Sequence, residues 1–455
     1  MNIVVAGCGK IGATIVQSLV MEGHDVTIVD MNAVVIGEMT NLYDVMGVCG
    51  NCADCDTLKE AGIEETDLFV AVADSDELNM LSCFLARRMG AKHTIARIRK
   101  PEYNDEDLAF LRHQLNLSMA INPERLAAQE LYNILKFPAA VKIESFSRRN
   151  FEMIEVRMSP DSPLDGMNLI TMREKYKAQV LVCAVQREND VFIPDGNFVL
   201  RAGDKLGITA TQTEIMKFFK ELNVYQKQAK DVMILGGSRT AYYLANMLVA
   251  GGSNVKIVER DAEVSQYLSQ EIPRAVVIEG DGAQQELLLE EGVKDTGAFV
   301  ALNGMDEENI LISIFVSSLE VPKVIAKVNK EELASLAEKL GLDTIVSPKK
   351  IISDVLIRYV RALDNSSSSS NIETLYHLMD GKAEAIEFRV SADFEHLNIP
   401  IKNMDLKDDI IIAGIIRERK PMIPSGNDVI LPDDRVIVIA ADQRLQELSD
   451  MMKKG

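Results

Sequence analysis

Short apolar runs alternate with amphipathic stretches from the first residues onward. Residues 3–6, 26–29, 68–73 and 94–98 are compact runs of strand length, rich in Val, Ile and Ala. Between the first two, residues 11–21 carry apolar side chains at helical spacing, and Gly23 supplies the stop. Strands and helices alternating in this way predict βαβ units and a parallel sheet. Further on the pattern shifts towards strands, at residues 153–158, 179–185 and 205–209. There the segment Pro194-Asp195-Gly196-Asn197 has the Pro and Gly that reverse a chain. This second stretch predicts a small α+β domain.

The whole pattern then returns at a spacing of about 230 residues. Ile3-Val4-Val5-Ala6-Gly7-Cys8-Gly9-Lys10 reappears as Val232-Met233-Ile234-Leu235-Gly236-Gly237-Ser238-Arg239, and Asp30 as Glu259. Asp76-Glu77-Leu78-Asn79 reappears as Asp306-Glu307-Glu308-Asn309, and Thr94-Ile95-Ala96-Arg97-Ile98 as Val324-Ile325-Ala326-Lys327-Val328. The strand-rich part repeats as well, Ile193-Pro194-Asp195-Gly196-Asn197 as Ile423-Pro424-Ser425-Gly426-Asn427. A register kept over so many segments is a duplication of a two-part unit. The expected fold class is therefore α/β: two Rossmann-like, doubly wound parallel-sheet domains at 1–135 and 229–348, each followed by a small α+β domain, at 140–224 and 371–455.

A helix joins the two parts of each unit. The first begins at Asn122-Pro123, with Asn as N-cap and Pro at the first helical position, and the second at Ser347-Pro348. Both have wide apolar faces, which pack either on their own sheet or across to a partner domain. The run from Asn365 to Asn371, with its serines, reads as a flexible linker.

Composition narrows the function. A net charge of −20 denies the surface as a whole the basic footprint of a nucleic-acid binder and disfavours an anionic membrane face. No apolar run reaches the roughly 18 residues that span a bilayer, so no membrane insertion is expected. The N-terminal residues already read as a strand, without a charged leader, and six cysteines in 455 residues form no dense disulfide framework. The cytoplasm is the expected compartment.

Gly7-Cys8-Gly9-Lys10-Ile11-Gly12 fits the G-x-G-x-x-G pattern. Alone it is a weak signal, but here it follows a strand, opens a helix, and has Asp30 at the end of the next strand. The glycines allow a tight turn, backbone approach to a pyrophosphate, and close helix–strand packing. The helix N-terminus offers unpaired N–H groups to phosphate, and Asp30 suits ribose hydroxyls. In the second copy only Gly236 of the three keeps its place, while Ser238 and Ala241 replace the others. Glu259 can still meet a ribose and Arg239 a phosphate, so a different ligand, a weaker site and an empty site all stay open.

Cys49, Cys52 and Cys55 form C-x2-C-x2-C, part of an iron–sulfur ligand run, but a fourth ligand at suitable spacing is missing and the second copy has no cysteines there. Small, partly buried residues near a ligand crevice are the plainer reading, and no metal site is expected. None of the five histidines sits in a recognisable catalytic setting. The chain reads as a ligand-sensing protein rather than an enzyme. The alternatives are an NAD-dependent oxidoreductase on a duplicated scaffold and a cysteine-based redox sensor.

The chain resembles the tandem RCK (regulator of conductance of potassium) regulators of Trk-type potassium uptake, in which a Rossmann-type KTN domain and a small RCK C-terminal domain occur twice. The resemblance covers nearly the whole chain. It rests on Val4 to Gly12, Asp30, Gly50-Asn51, Ala73-Asp74, Ala96-Arg97, Asn122-Pro123-Glu124, the two Ile-Pro-x-Gly-Asn turns and the duplication. It implies a cytoplasmic regulatory subunit, peripheral to the inner membrane face through a Trk-type potassium transporter. It further implies NAD(H) or ATP/ADP as ligand and a homo-oligomer, expected as a tetramer whose Rossmann-like domains form a ring. Carried over residue by residue, Gly7, Gly9, Lys10, Ile11 and Gly12 would cradle phosphate and Asp30 hold a ribose. Asn51 and Asp74 would border the crevice, Arg97 and Glu124 would lie near the ligand or a dimer seam, and Gly236, Arg239 and Glu259 would form the second site.

Overall fold

The computed structural model describes residues 1–103, 105–146, 151–223, 229–342, 344–367, 372–441 and 443–453. The first sheet comprises β1 (Asn2–Ala6), β2 (Asp25–Asp30), β3 (Met46–Cys49), β4 (Leu68–Ala71), β5 (His93–Arg97) and β6 (Met119–Ile121), in the order β3-β2-β1-β4-β5-β6. Its helices are α1 (Lys10–Met21), α2 (Ala33–Leu42), α3 (Cys55–Glu60), α4 (Asp76–Met89), α5 (Asp105–Gln114) and α6 (Pro123–Lys136). Every neighbouring pair is parallel. A parallel sheet wound on both faces buries its central strands completely, and β4 is buried at all its positions. Helix α1 stops where the sequence puts Gly23, which adopts φ +81° while the N–H of His24 reaches back to the Leu19 carbonyl at 3.2 Å.

An antiparallel sheet completes the first unit of the repeat, and the second unit then follows the same plan. A five-stranded antiparallel sheet comes first, with β7 (Lys142–Phe146), β8 (Phe151–Arg157), β9 (Leu181–Arg187), β10 (Asp190–Phe192) and β11 (Lys205–Thr211), and with α7 (Leu169–Tyr176) and α8 (Gln212–Glu221). The next six strands are β12 (Asp231–Leu235), β13 (Asn254–Glu259), β14 (Val276–Glu279), β15 (Ala298–Ala301), β16 (Val324–Lys327) and β17 (Ile345–Val346). They repeat the order of the first sheet, β14-β13-β12-β15-β16-β17. Their helices are α9 (Arg239–Ala250), α10 (Ala262–Glu271), α11 (Gln285–Glu290), α12 (Asp306–Ser317), α13 (Glu331–Lys339) and α14 (Pro348–Ser367). A second five-stranded sheet closes the chain, with β18 (Ile372–Leu378), β19 (Ala383–Arg389), β20 (Ile410–Arg417), β21 (Lys420–Met422) and β22 (Arg435–Ala441). The α/β class, with each parallel sheet followed by a smaller antiparallel one, is as the periodicity predicts. The expected domain limits at 224, 371 and 455 lie outside the described residues.

Several strands escape the periodicity. β3 is an edge strand with three of its four residues exposed, and β6 has three residues, so neither makes an apolar run. The joining segment departs from expectation in the other direction: α14 continues through Ser367, so the helix covers the start of the stretch read as a linker, and 368–371 lie outside the described residues. Ile352, Leu356 and Val360 are fully or almost fully buried along that helix, and each further residue adds a hydrogen bond once the helix is nucleated.

The chain divides into two compact units. One gathers residues 1–129, 238–244 and 346–357, and the other residues 130–237, 245–345 and 358–455. Each joining helix is divided between the units, α6 after Gln129 and α14 after Ile357. Within the first unit, the Ser353 hydroxyl of α14 donates to Ser18 Oγ of α1 at 2.6 Å, and Asn122 Nδ2 donates to Tyr243 Oη of α9 at 3.0 Å. Within the second, the two antiparallel sheets share one core that includes Phe146, Phe151, Met153, Leu378, Ile437 and Ile439. Gly414 lets the sheets approach, since a Cβ there would come 2.5 Å from the Phe151 ring.

A buried ion pair sits in that shared core. Lys205 Nζ lies 3.4 Å from Glu155 Oε2, both side chains about 5% exposed or less, and Glu155 Oε1 accepts the Met379 N–H at 3.0 Å. Removing one partner strands the other charge in the interior, at a cost of about 3–5 kcal/mol. Glu155→Ala is expected to lower the thermal midpoint sharply, while Glu155→Leu combined with Lys205→Met recovers at least half of the loss. A midpoint unchanged by Glu155→Ala would show that neither the pair nor the bond from Met379 stabilises this core.

Candidate functional site

The first glycine-rich turn is built by a close passage. Gly7 has φ +95°, and a Cβ there would fall 2.6 Å from the Ala73 nitrogen and 2.8 Å from the Val72 carbonyl carbon, both main-chain atoms. The Val72 N–H donates to the Ala6 carbonyl at 2.8 Å, continuing the β1–β4 ladder to the point of contact. Gly12 is equally constrained, because its Cβ would lie 1.9 Å from the Gly7 carbonyl oxygen. Gly9 differs. It is the N-cap of α1 with no side-chain cap, and nothing stands within 4 Å of its Cβ position. The first intrahelical bond runs from Ala13 to the Gly9 carbonyl at 2.9 Å. The N–H groups of Lys10, Ile11 and Gly12 precede it and face a space that the second glycine keeps clear.

Asp30 is tied to this turn. Its Oδ2 accepts the Cys8 N–H at 2.7 Å, its Oδ1 accepts the Asn32 N–H at 2.9 Å, and its carbonyl accepts the Gly50 N–H at 3.0 Å. The carboxylate thus braces the turn, and each oxygen keeps a further lone pair for an incoming hydroxyl. Asn51 follows Gly50, with its side-chain oxygen accepting the Ala53 N–H at 3.0 Å, which fixes the loop beside β2.

A second group of residues gathers at the ends of β4 and β5, on the other side of the Gly7–Ala73 contact. Arg97 is buried; its guanidinium donates to the Ala73 carbonyl at 2.7 Å and lies 3.9 Å from the fully exposed Asp74 carboxylate. Burial and the neighbouring Arg99 push its pKa down, and Glu124, Asp74 and Asp76 oppose this. A guanidinium stays cationic at neutral pH under such a shift. Arg97 Nε and Glu124 Oε2 are buried with no hydrogen-bond partner, so this cluster has polar capacity to spare. Asn79, wholly buried, donates to the carbonyls of Ala73 and Arg97 at 3.0 Å each, and Asp76 accepts the N–H groups of Arg99 and Lys100 at 2.8 and 2.9 Å. These two residues fix the loop that carries Asp74, a task the sequence pattern does not reveal beyond their reappearance as Asp306 and Asn309.

Tyr243 was not legible as a site residue at all. It comes from the second copy, yet its hydroxyl donates to the Arg99 carbonyl at 3.1 Å and accepts from Asn122 at 3.0 Å, and burial pushes its pKa up. No spacing signal links residues 121 positions apart.

The second turn repeats the framework. Gly236 has φ +92°, Glu259 Oε2 accepts the Gly237 N–H, and Glu259 Oε1 accepts the Asp261 N–H at 2.7 Å. Arg239 opens α9 and is exposed.

The cysteine run is dispersed over three settings. Cys49 ends β3 and is exposed, Cys52 is buried, and Cys55 opens α3 and is exposed. Burial and then Asp30 push the Cys8 thiol up to about 12, and burial pushes Cys52 and Cys83 up as well. All six cysteines are free, and among the described residues no group of three or more His, Cys, Asp or Glu is placed to hold a metal ion.

Comparison with known proteins adds a family context. TrkA-N domain models match residues 3–123 and 232–348, and TrkA-C domain models match 153–223 and 385–453. The chain is 31% identical over 454 residues to a Trk system potassium uptake protein TrkA homolog of Archaeoglobus fulgidus, covering 100% of both. It is 30% identical to the Trk system potassium uptake protein TrkA of Vibrio alginolyticus, covering 98% of this chain and 96% of that one. Among solved structures it is similar in fold to a GsuK channel bound to NAD, with TM-score 0.62 at 16% identity, covering 97% of this chain and 76% of the other. A GsuK bound to ADP gives TM-score 0.51 at 14% identity, covering 80% and 69%. Among the described residues no helix is long and apolar enough to cross a membrane.

Two expectations test the site's construction. Gly7→Ala combines a disfavoured positive φ with main-chain overlap and is expected to cost about 2–4 kcal/mol in urea unfolding. Gly9→Ala, in open space, costs about 1 kcal/mol or less. Equal losses would contradict the close-passage geometry. Alkylation of the folded protein at neutral pH is expected to map to Cys49 and Cys55 and to spare Cys8 and Cys83 until the chain is denatured. Prompt labelling of Cys8 would show that the turn opens.

Proposed function

We propose a function from one premise: the chain belongs to the TrkA family of Trk system potassium uptake proteins. This is a family of transport proteins rather than of enzymes, and the oxidoreductase reading falls with it. Within it, the chain is the cytoplasmic regulatory subunit of a Trk-type potassium transporter, and it acts by binding an adenine nucleotide, NAD(H) or ATP/ADP, in the first copy. One observation carries this reading. The start of α1 presents uncapped N–H groups to the clear space at Gly9, with Asp30 held beside it by the Cys8 N–H at 2.7 Å. A helix N-terminus of this kind favours phosphate, and a carboxylate at the end of the second strand favours ribose hydroxyls. NAD and ADP in the two similar GsuK structures fit the same class of ligand.

In this reading Gly7, Gly9, Ile11 and Gly12 shape the phosphate cradle, Lys10 adds a cation at its rim, and Asp30 takes the ribose. Asn51 and Asp74 border the crevice. Arg97 and Glu124, with buried polar atoms unpartnered, respond to a ligand phosphate through the loop at Ala73. The subunit assembles with itself, as a tetramer, and docks on the inner face of its transporter. A nucleotide shifts such an assembly only by as much as it prefers one arrangement over another. A phosphate meeting Lys10 and Arg97 in one arrangement alone supplies that preference.

Titration calorimetry of the full chain with NAD, NADH, ATP and ADP tests the reading. At least one is expected to bind, and Asp30→Asn, which keeps an acceptor oxygen but removes the charge, weakens binding about tenfold. Unchanged affinity removes Asp30 from the site. Steady substrate-dependent oxidation of NADH would restore the enzyme reading.

A further inference from the structure

The two copies share a framework, and the differences between them fall at the place where a dinucleotide has to sit. In open α/β sheets, ligands enter the crevice outside the carboxyl ends of the strands where the strand order reverses. Here that is the gap between β1 and β4, and between β12 and β15. In the first copy the position at the end of β4 is Ala73, and the space behind Gly7 meets main-chain atoms only. In the second copy the equivalent residue is Asn303. A Cβ on Gly236 would meet Asn303 Oδ1 first, at 2.5 Å, ahead of the Asn303 nitrogen and the Leu302 carbonyl carbon at 3.1 Å. An amide oxygen stands against the turn in the second copy, where the first copy has only an alanine.

The turn itself has changed in two further ways. Gly12 admits no Cβ, because one would fall 1.9 Å from the Gly7 carbonyl oxygen. Its counterpart Ala241 carries a Cβ and is fully buried. The second turn keeps the first turn's hydrogen bonds even so, with the Gly236 N–H on the Val258 carbonyl at 2.8 Å and the Tyr242 N–H on the Ser238 carbonyl at 2.9 Å, and alanine at this third position is compatible with a dinucleotide. The N-cap differs too. Gly9 gives α1 no side-chain cap, whereas Ser238 Oγ accepts the Ala241 N–H at 3.4 Å. A serine that caps its own helix takes up an N–H that in the first copy is left for an anion.

We propose that the duplicated chain takes one dinucleotide per molecule, at the first turn, and that Ser238 and Asn303 close the second turn to a pyrophosphate. This rests on the nucleotide-binding reading of the first copy. Glu259 keeps its bond to the Gly237 N–H because that bond braces the turn, as Asp30 does in the first copy, and needs no ribose. Arg239 stands exposed at the start of α9 with the pyrophosphate cradle around it lost.

The test is a count of bound NAD and of bound ADP per full-length chain by titration calorimetry. The wild type is expected to bind one. Gly9→Val places a branched side chain in the open space and should bring the count to zero. Since nothing lies within 4 Å of that position, the variant should keep its thermal midpoint within a few degrees. Joining Ser238→Gly and Asn303→Ala should raise the count above one, and the same two changes on a Gly9→Val background should bind one. Two ligands on the wild type, or one retained by Gly9→Val alone, overturns the proposal. No gain from the double variant overturns the assignment to these side chains. A wild type that binds neither ligand overturns the nucleotide reading itself, and this inference with it. Should Gly9→Val fail to fold, the wild-type count decides alone.

Discussion

The site depends on a constraint smaller than any side chain: the main chain at Gly7 passes so close to Ala73 that no Cβ fits between them. That passage brings the end of β1 against the end of β4, where the sheet changes direction. It sets the start of α1 over the gap, and it leaves the Ala73 carbonyl as the shared acceptor for Arg97 and Asn79. Two groups of polar residues, one around Asp30 and one around Arg97, are thereby tied to the same contact, one on each side of it. Without the passage they would be separate loops on a parallel sheet.

The polar residues around the crevice serve the fold before they serve a ligand. Asp30 accepts two backbone N–H groups and Asp76 accepts two more, and each is matched in the second copy, by Glu259 and Asp306. A hydrogen bond of this kind to a charged acceptor is worth about 1.5–3 kcal/mol, enough to keep the acid in place with no ligand present. Persistence of the acidic residue in a copy is therefore weak testimony to binding. The discriminating positions are those where the fold asks for nothing, such as Gly9, and those where it asks for bare space, such as Gly12.

What the sequence could reveal follows the same division. The buried strands β1, β2, β4 and β5 are legible because burial on both faces makes continuous apolar runs, and the turn is legible because its glycines answer to steric rules. The edge strand β3 and the short β6 leave no such trace. Asp30 is readable from its distance behind the glycines, and the framework of the repeat is readable from its register. Tyr243 and Asn303 are not. Tyr243 matters through a contact with Asn122 and Arg99 that no local spacing encodes, and Asn303 matters through the single side chain by which it exceeds alanine. The serine run misleads for a related reason: its composition says linker, while the buried face of α14 carries the helix on to Ser367.

The start of α9 has a task that does not depend on a ligand in the second copy. The first six residues of α9 belong to the same compact unit as the first parallel sheet, together with the opening turns of α14. Through them Tyr243 reaches the Arg99 carbonyl and Asn122, beside the cluster of Arg97 and Glu124. A second copy that lost this helix would leave the Asn122 amide and the Arg99 carbonyl with only their long bond to each other, at 3.4 Å. Tyr243 thus ties the start of α9 to the first site whether or not the second turn holds a ligand, and this leaves Ser238 and Asn303 free to depart from what a pyrophosphate requires.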